Sequence, residues 1–232
     1  MPRAPRQQRA IATVDAIIES GFISLARHGL AGTTTRHIAD IAGIGVGSLY
    51  EYFENKEAIY AAMHDRFVAD LVAMLQPLNA IIVKQDIHGA VTTIIGRLQE
   101  FLSEHDARYL RYAQSAMNLE MKIGLEPVTR VLQELVMNYV MHHPELMRMR
   151  RMATMSHIFI NGSIFVMLRH LADPSPLISL DELVQGLSEM LSHYVAMELQ
   201  LTAMPAAALG TRRHEALAQR ARSVPWPPPD HP

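Results

Sequence analysis

TTTRHIADIAGIGVGSLYEYFENK, running from Thr33 to Lys56, holds two short apolar patterns on either side of a glycine-rich joint. The first predicts a helix that follows the threonine run Thr33–Thr35 and ends at Ala42-Gly43, where glycine permits the turn's backbone conformation. Ile38, Ala39 and Ala42 form its inner face, and the small alanines let a second helix approach closely. That second helix runs from about Val46 to Phe53, with Leu49 and Phe53, four apart, anchoring it to a core. Tyrosines beside a phenylalanine are ordinarily core residues. Here the spacing turns Phe53 inward and leaves Ser48, Tyr50 and Tyr52 towards solvent, where hydroxyls can donate to phosphates. Gly45, Val46 and Gly47 open the helix, where free backbone N–H groups favour an anion. Two such helices form a helix-turn-helix, whose second member enters the major groove of DNA.

The flanking sequence is helical as well. Ile11, Val14, Ile17, Ile18, Phe22 and Leu25 make one apolar stripe that stops near His28-Gly29. Asn55 caps a longer helix carrying Ile59, Met63, Phe67 and Leu71, which ends by Pro77. Further helices are predicted from Asp86 through Phe101, over Ala107–Leu119, and from Pro127 through Tyr139. Pro144 opens a long helix to about Leu171, and Asp173-Pro174-Ser175-Pro176 separates it from a last one near Leu180–Leu201. The fold class is all-α: an N-terminal three-helix helix-turn-helix domain plus a C-terminal helical ligand-binding and dimerisation bundle. The divisions fall at residues 1–53 and 54–203, with a tail at 204–232 rich in alanine, arginine and proline.

Composition bounds what such a chain does. Its 232 residues are 49% hydrophobic and 19% charged, enough to build a sizeable core. A net charge of −2 gives no global footprint for nucleic acid, so any DNA surface must be local. Cysteine is absent, which excludes disulfides and thiolate zinc sites and suits a reducing compartment. The most apolar stretch, Ile158–Leu168, is about half of what a membrane span needs, so a soluble cytoplasmic protein is expected.

Extended to TTTRHIADIAGIGVGSLYEYFENKEAI, residues 33–59, the deciding stretch resembles the TetR/AcrR family of one-component regulators. It has that family's threonine pair, its I-A…A-G turn, its L-Y-x-Y-F stretch and its N/S-K-E cap. The resemblance covers about residues 9–60; the rest agrees only in its expected arrangement, a divergent helical ligand and dimer domain. It implies that Thr34, Thr35, Arg36, Val46, Gly47, Ser48, Tyr50, Tyr52 and Lys56 occupy positions that meet DNA, with Tyr50 and Lys56 on phosphates. It implies a homodimeric repressor on a palindromic operator in double-stranded DNA, released by a small, largely apolar effector. Gly45 and Val46 stand where polar or basic residues are frequent, and Glu51 where histidine, asparagine or tryptophan is common. Base readout then rests on few hydrogen bonds, with Val46 set against thymine methyl groups. Arg3, Arg6 and Arg9 form a basic arm for phosphates or a minor groove, or a solvated terminus.

In the C-terminal half, many of the 15 methionines fall in the bundle, where flexible thioethers suit a pocket for apolar ligands or simply fill a core. The residues expected at such a pocket are Tyr109, Tyr112, Met117, Asn118, Met121, Tyr139, His157 and Asn161, polar or soft groups within apolar helices. Glu120 beside Lys122 reads as a solvated carboxylate. Ile158–Leu168 is apolar on every side and needs cover all round. A second subunit supplies it if this helix joins the last one (Leu183, Leu187, Met190, Leu191, Tyr194, Val195) in the family's intersubunit four-helix bundle; the alternative is a helix central to one monomer. No nucleophile elbow, P-loop or H-E-x-x-H occurs, so no enzyme, metal or cofactor is expected. The competing reading is a helical interaction protein that kept the fold without binding an operator.

Overall fold

The computed structural model describes residues 5–117, 124–173 and 175–203, and among them every regular element is helical. The stretch Pro5–Gly32 forms α1, broken by Gly29 at φ 65°, a left-handed value that glycine adopts without steric cost. Of its predicted stripe, Ile17, Ile18, Phe22 and Leu25 are buried, whereas Ile11 is left exposed. Helices α2 (Thr35–Ala42) and α3 (Val46–Tyr50) follow, joined through Gly43 at φ 70°. The long helix α4 (Lys56–Leu75) is capped by Asn55, which accepts from the amide of Ala58 at 2.8 Å. It gives way to a 3-10 turn holding Pro77 and the short α5 (Asn79–Ile82).

The next helix, α6 (Ile87–Met117), corrects the expectation of two separate helices. Asp86 does cap its start, accepting from Gly89 at 2.7 Å. Helical structure then runs past Phe101, but Asp106 and Ala107 sit at φ 58° and 55° inside it. Two successive left-handed residues kink the rod where the apolar pattern changes phase. Helix α7 (Glu126–His142) begins at Pro127 as predicted. Pro144, however, opens only a 3-10 turn to Arg148, and α8 starts later, spanning Met152–Ala172. Met149 is extended at the break, so that Leu146 and Met149 are buried while Arg148, Arg150 and Arg151 stay in solvent. Helix α9 (Leu180–Ala203) closes the described chain.

One apolar core runs from Ile17 on α1 to Val195 on α9. Helix α4 threads it, giving Ile59 and Met63 to the N-terminal unit and Phe67, Leu71 and Leu75 to the bundle. Helix α8 is covered on one side only. Ile160, Met167 and Leu171 are buried, but Ile158 and Phe165 are 52% and 64% exposed, so the helix is not central to one monomer. On α9, Met190 and Met197 are likewise exposed. No described helix is long and apolar enough to cross a membrane.

A left-handed non-glycine residue costs about 1–2 kcal/mol, and aspartate tolerates the conformation better than alanine. Ala107→Gly relieves that cost while loosening the unfolded chain by about 0.5–1 kcal/mol. The expected net gain is about 0.5–1 kcal/mol, read as a higher denaturant midpoint at unchanged slope; a loss would show that the kink is not strained.

Candidate nucleic-acid interface and apolar cavity

The threonine run does three separate jobs. Thr33 is buried, and its hydroxyl donates to the carbonyl of Gly29 at 2.8 Å, tying the broken end of α1 to the turn before α2. Thr34 is the N-cap of α2, accepting from the amide of His37 at 3.2 Å. Thr35 lies 3.2 Å from the hydroxyl of Tyr50, a polar link between α2 and α3. Beneath them Ile38, Ala39 and Leu49 are fully buried and Phe53 nearly so, which fixes α3 on α2 and α4. Ala42 packs at the edge of the same core.

With that face anchored, the other is open. Thr34, Arg36, Gly47, Ser48, Tyr50 and Tyr52 are exposed, and Thr35 and Val46 are half-buried at its edge. Lys56 is half-buried: its ammonium donates to the carbonyl of Thr33 at 3.4 Å and lies 5.6 Å from the centre of the Tyr60 ring. Its charge is thereby held beside the threonines. No side chain caps α3, and Glu51 and Glu54 stand exposed beyond it. All nine positions of the family resemblance are thus exposed or half-buried, and the Thr35–Tyr50 and Lys56–Thr33 contacts draw α2, α3 and the start of α4 together. One neighbour gave no sequence signal: His37 bonds to the carbonyl of Gly32 at 3.1 Å and rests on His28, 4.5 Å between ring centres. Arg9 is exposed on α1; Arg3 and the side chain of Arg6 lie outside the described residues.

Behind this unit, α1, α4 and α6 meet in an aromatic junction. Phe22 takes Tyr109 and Tyr112 edge-on at 5.1 and 5.4 Å, and Phe67 lies 5.4 and 5.2 Å from the same two rings. Tyr109 donates to Asp70, and the Tyr112 hydroxyl sits 3.1 Å from Nδ1 of His64, both on α4. Ion pairs Asp15–Arg66 and Glu19–Arg108, with Arg111 donating to the carbonyl of Ala26 at 2.7 Å, bind α1 to α4 and α6.

Below the junction the bundle holds a partly open cavity of about 250 Å³ between α4, α6, α7, α8 and α9. Leu71, Ile95 and Leu135 are typical of its walls, and no charged side chain lines it among the described residues. Of the residues expected at a pocket, Tyr139 lines it, its hydroxyl donating to the carbonyl of Gln85 at 3.0 Å. The others are placed differently. Tyr109 and Tyr112 are spent in the junction, one wall away through Phe67. His157 and Asn161 stand exposed on α8, where Asn161 donates to the carbonyl of His157 at 2.8 Å. Both lie on the outward side of a helix whose inward side supplies Phe159, Ile160 and Ser163. Asn118 and Met121 fall outside the described residues, as do Glu120, Lys122 and the tail, and so does the side chain of Met117. The methionines that line the cavity are Met149, Met152, Met155 and Met167, while Met137, Met141 and Met147 face outward. The adjacent His142 and His143 bond to the carbonyls of Asn138 and Val83, and no cluster of three metal-binding groups forms among the described residues.

Burial raises the Tyr109 and Tyr112 hydroxyls well above their ordinary range, Tyr109 further so by Asp70 and Tyr112 by Asp65. Burial, with Asp86 and Glu145, pushes Tyr139 up to about 12. A raised pKa means the neutral form is preferred in the folded state. The stabilisation is therefore intact below pH 10 and is lost as pH rises through the folded values. Tyrosinate absorbance should show these three of the seven tyrosines ionising above the ordinary range, or together with unfolding if that comes first. Smooth ionisation of all seven near pH 10 in the folded protein would contradict this.

Residues 17–63 match the family model described as "Bacterial regulatory proteins, tetR family". Over 54 residues, 23% of this chain, the sequence is 37% identical to an Escherichia coli protein named "Probable acrEF/envCD operon repressor", and the match spans 24% of that protein's own length. Solved structures share the fold across far more of the chain. A Mesorhizobium loti protein, 13% identical, aligns over 82% of this chain and 98% of its own with a TM-score of 0.63. SmeT, the repressor of the Stenotrophomonas maltophilia multidrug efflux pump SmeDEF, is 18% identical and aligns over 83% and 94%, with a TM-score of 0.53. The N-terminal module is thus similar in sequence to the tetR family over residues 17–63, and the helical body is similar in fold to these solved structures.

Proposed function

We propose that this chain is a transcriptional repressor that binds a palindromic operator in double-stranded DNA as a homodimer and releases it when a small apolar molecule fills the cavity. The observation that carries the reading is the two-sidedness of α2 and α3. Ile38, Ala39 and Leu49 are fully buried beneath them, while Arg36, Ser48, Tyr50 and Tyr52 stand in solvent around a positioned Lys56. Phosphate contacts set register, so Tyr50 and Lys56 are the positioning groups, and Val46, Gly47 and Ser48 approach base edges. The E. coli relative is named as an operon repressor, which agrees with the sign of the regulation. Residues 1–53 serve as the reading head and 54–203 as the sensing and dimerising half.

The exposed apolar faces of α8 and α9 are the dimer surface in this reading, and His157 and Asn161 belong there rather than at the effector. A two-fold pair places its reading helices about one DNA turn apart, ~34–36 Å. Effector contacts pass to Tyr139 and the inward methionines. The signal travels through α4, which gives side chains to both the head and the cavity.

Sedimentation without DNA should show a dimer, and selection from random duplexes should return an inverted repeat. Lys56→Ala is expected to weaken binding on all sequences and flatten the salt dependence by about one unit of slope. Val46→Ala should instead change which bases are preferred. A monomer that selects no sequence would overturn the proposal. For a true effector, hundredfold weaker operator binding corresponds to ~2.7 kcal/mol of coupling, and operator must weaken effector binding by the same factor. Equal effector affinity with and without operator would remove that compound.

A further inference from the structure

The lining of the cavity is specific about charge. Thirty-odd side chains would suit many lipophilic molecules, but a ligand's polar end has to meet a polar partner. The walls hold four hydroxyl-bearing side chains, Tyr139, Tyr194, Ser156 and Ser163, and no lysine, arginine, histidine or carboxylate among the described residues. Tyr139 already donates its hydrogen bond to the carbonyl of Gln85. Ser156 and Ser163 have no hydrogen-bond partner among the described residues, not even the preceding turn of their own helix. They lie seven residues apart on α8, two turns and ~10 Å along one face. Both serines are half-buried, so each hydroxyl is open to a partner from outside the protein. Each can donate one proton to a carbonyl, ester or hydroxyl oxygen.

An ionised group fares otherwise here. A carboxylate or ammonium taken from water into this lining finds no counter-ion among the described lining residues and at most one or two hydroxyls. Such burial is costly enough that the group binds in its neutral form or not at all. The charges that act on the lining do so from outside it, Arg151 and Glu198 on Tyr194 and Asp86 and Glu145 on Tyr139, and Arg108 is paired with Glu19 on α1. The size of the space, about 250 Å³, lies just below the range usual for drug-sized ligands.

Resting on the effector reading of this cavity, we infer that it selects an uncharged, hydrocarbon-rich molecule carrying one hydrogen-bond acceptor, met by Ser156 or Ser163, and rejects the carboxylate or ammonium of the same skeleton. Specificity for such a ligand comes from chain length and from the absence of charge. Each methylene moved from water into the cavity tightens binding about fourfold until the space is filled.

The experiment is calorimetric titration of the full-length protein with straight-chain 1-alkanols of increasing length, below their aggregation limits, together with decanoate and decylammonium. The alkanols should bind with about fourfold gain per methylene and then a plateau, and decanoate should bind at least ~100-fold more weakly than decanol at pH 8. Because only the neutral acid enters, the apparent affinity for decanoate should rise about tenfold for each pH unit lowered, while decanol stays constant. Ser156→Ala and Ser163→Ala, singly and together, should weaken decanol about fivefold at whichever position meets it and leave decane unchanged. Decanoate binding as tightly as decanol at pH 8, abolished by Arg151→Ala, would overturn the inference while keeping the cavity as a ligand site. Failure of every alkanol to bind would overturn the cavity reading itself, and this inference with it.

Discussion

Phe22, Phe67, Tyr109 and Tyr112 come from three helices and meet at one point between the reading head and the bundle. Each edge-to-face pair contributes roughly 0.5–1.5 kcal/mol beyond simple burial. The two tyrosines add a directional demand, because a buried hydroxyl needs a partner and both find theirs on α4, at Asp70 and His64. Turning α1 against α4 and α6 would open the ring contacts and strand both hydroxyls at once. The pose of α2, which rests on α1 and carries α3, is thereby tied to the packing of α6, the helix that also walls the cavity.

The cavity stands out against that tight junction. Interiors are close-packed, and an apolar cavity of about 250 Å³ among these helices is a local departure from that density. The left-handed pair Asp106–Ala107 lies between the part of α6 that gives most of its cavity-lining side chains and the part that grips α1 through Arg108 and Arg111 and adds Ala113 to the lining.

The outward faces of α8 and α9 complete the arrangement. Ile158, Phe165, Met190 and Met197 form exposed apolar surface where the inward faces already close the cavity. The same two helices thus carry an apolar face towards solvent and another towards the cavity.

Much of this was legible from residue order. The broken α1 at Gly29, the left-handed Gly43, the threonine and asparagine caps and the inward Leu49 and Phe53 are local matters of backbone sterics and helical period. Neighbouring residues alone decide them. The outward set on α2 and α3 followed directly, because anchoring one face of a short helix exposes the other. What residue order left undecided was every relation between distant segments. Tyr109, Tyr112 and Tyr139 look alike as tyrosines within apolar helices, yet two complete an aromatic junction and one lines the cavity, according to what α1 and α4 bring against them. His157 and Asn161 looked like polar groups buried in an apolar helix, and they face outward because α8 turns its other side to α6. The kink at Asp106–Ala107 and the late start of α8 arise likewise, since local propensity differs by tenths of a kcal/mol per residue and packing a dozen side chains outweighs it.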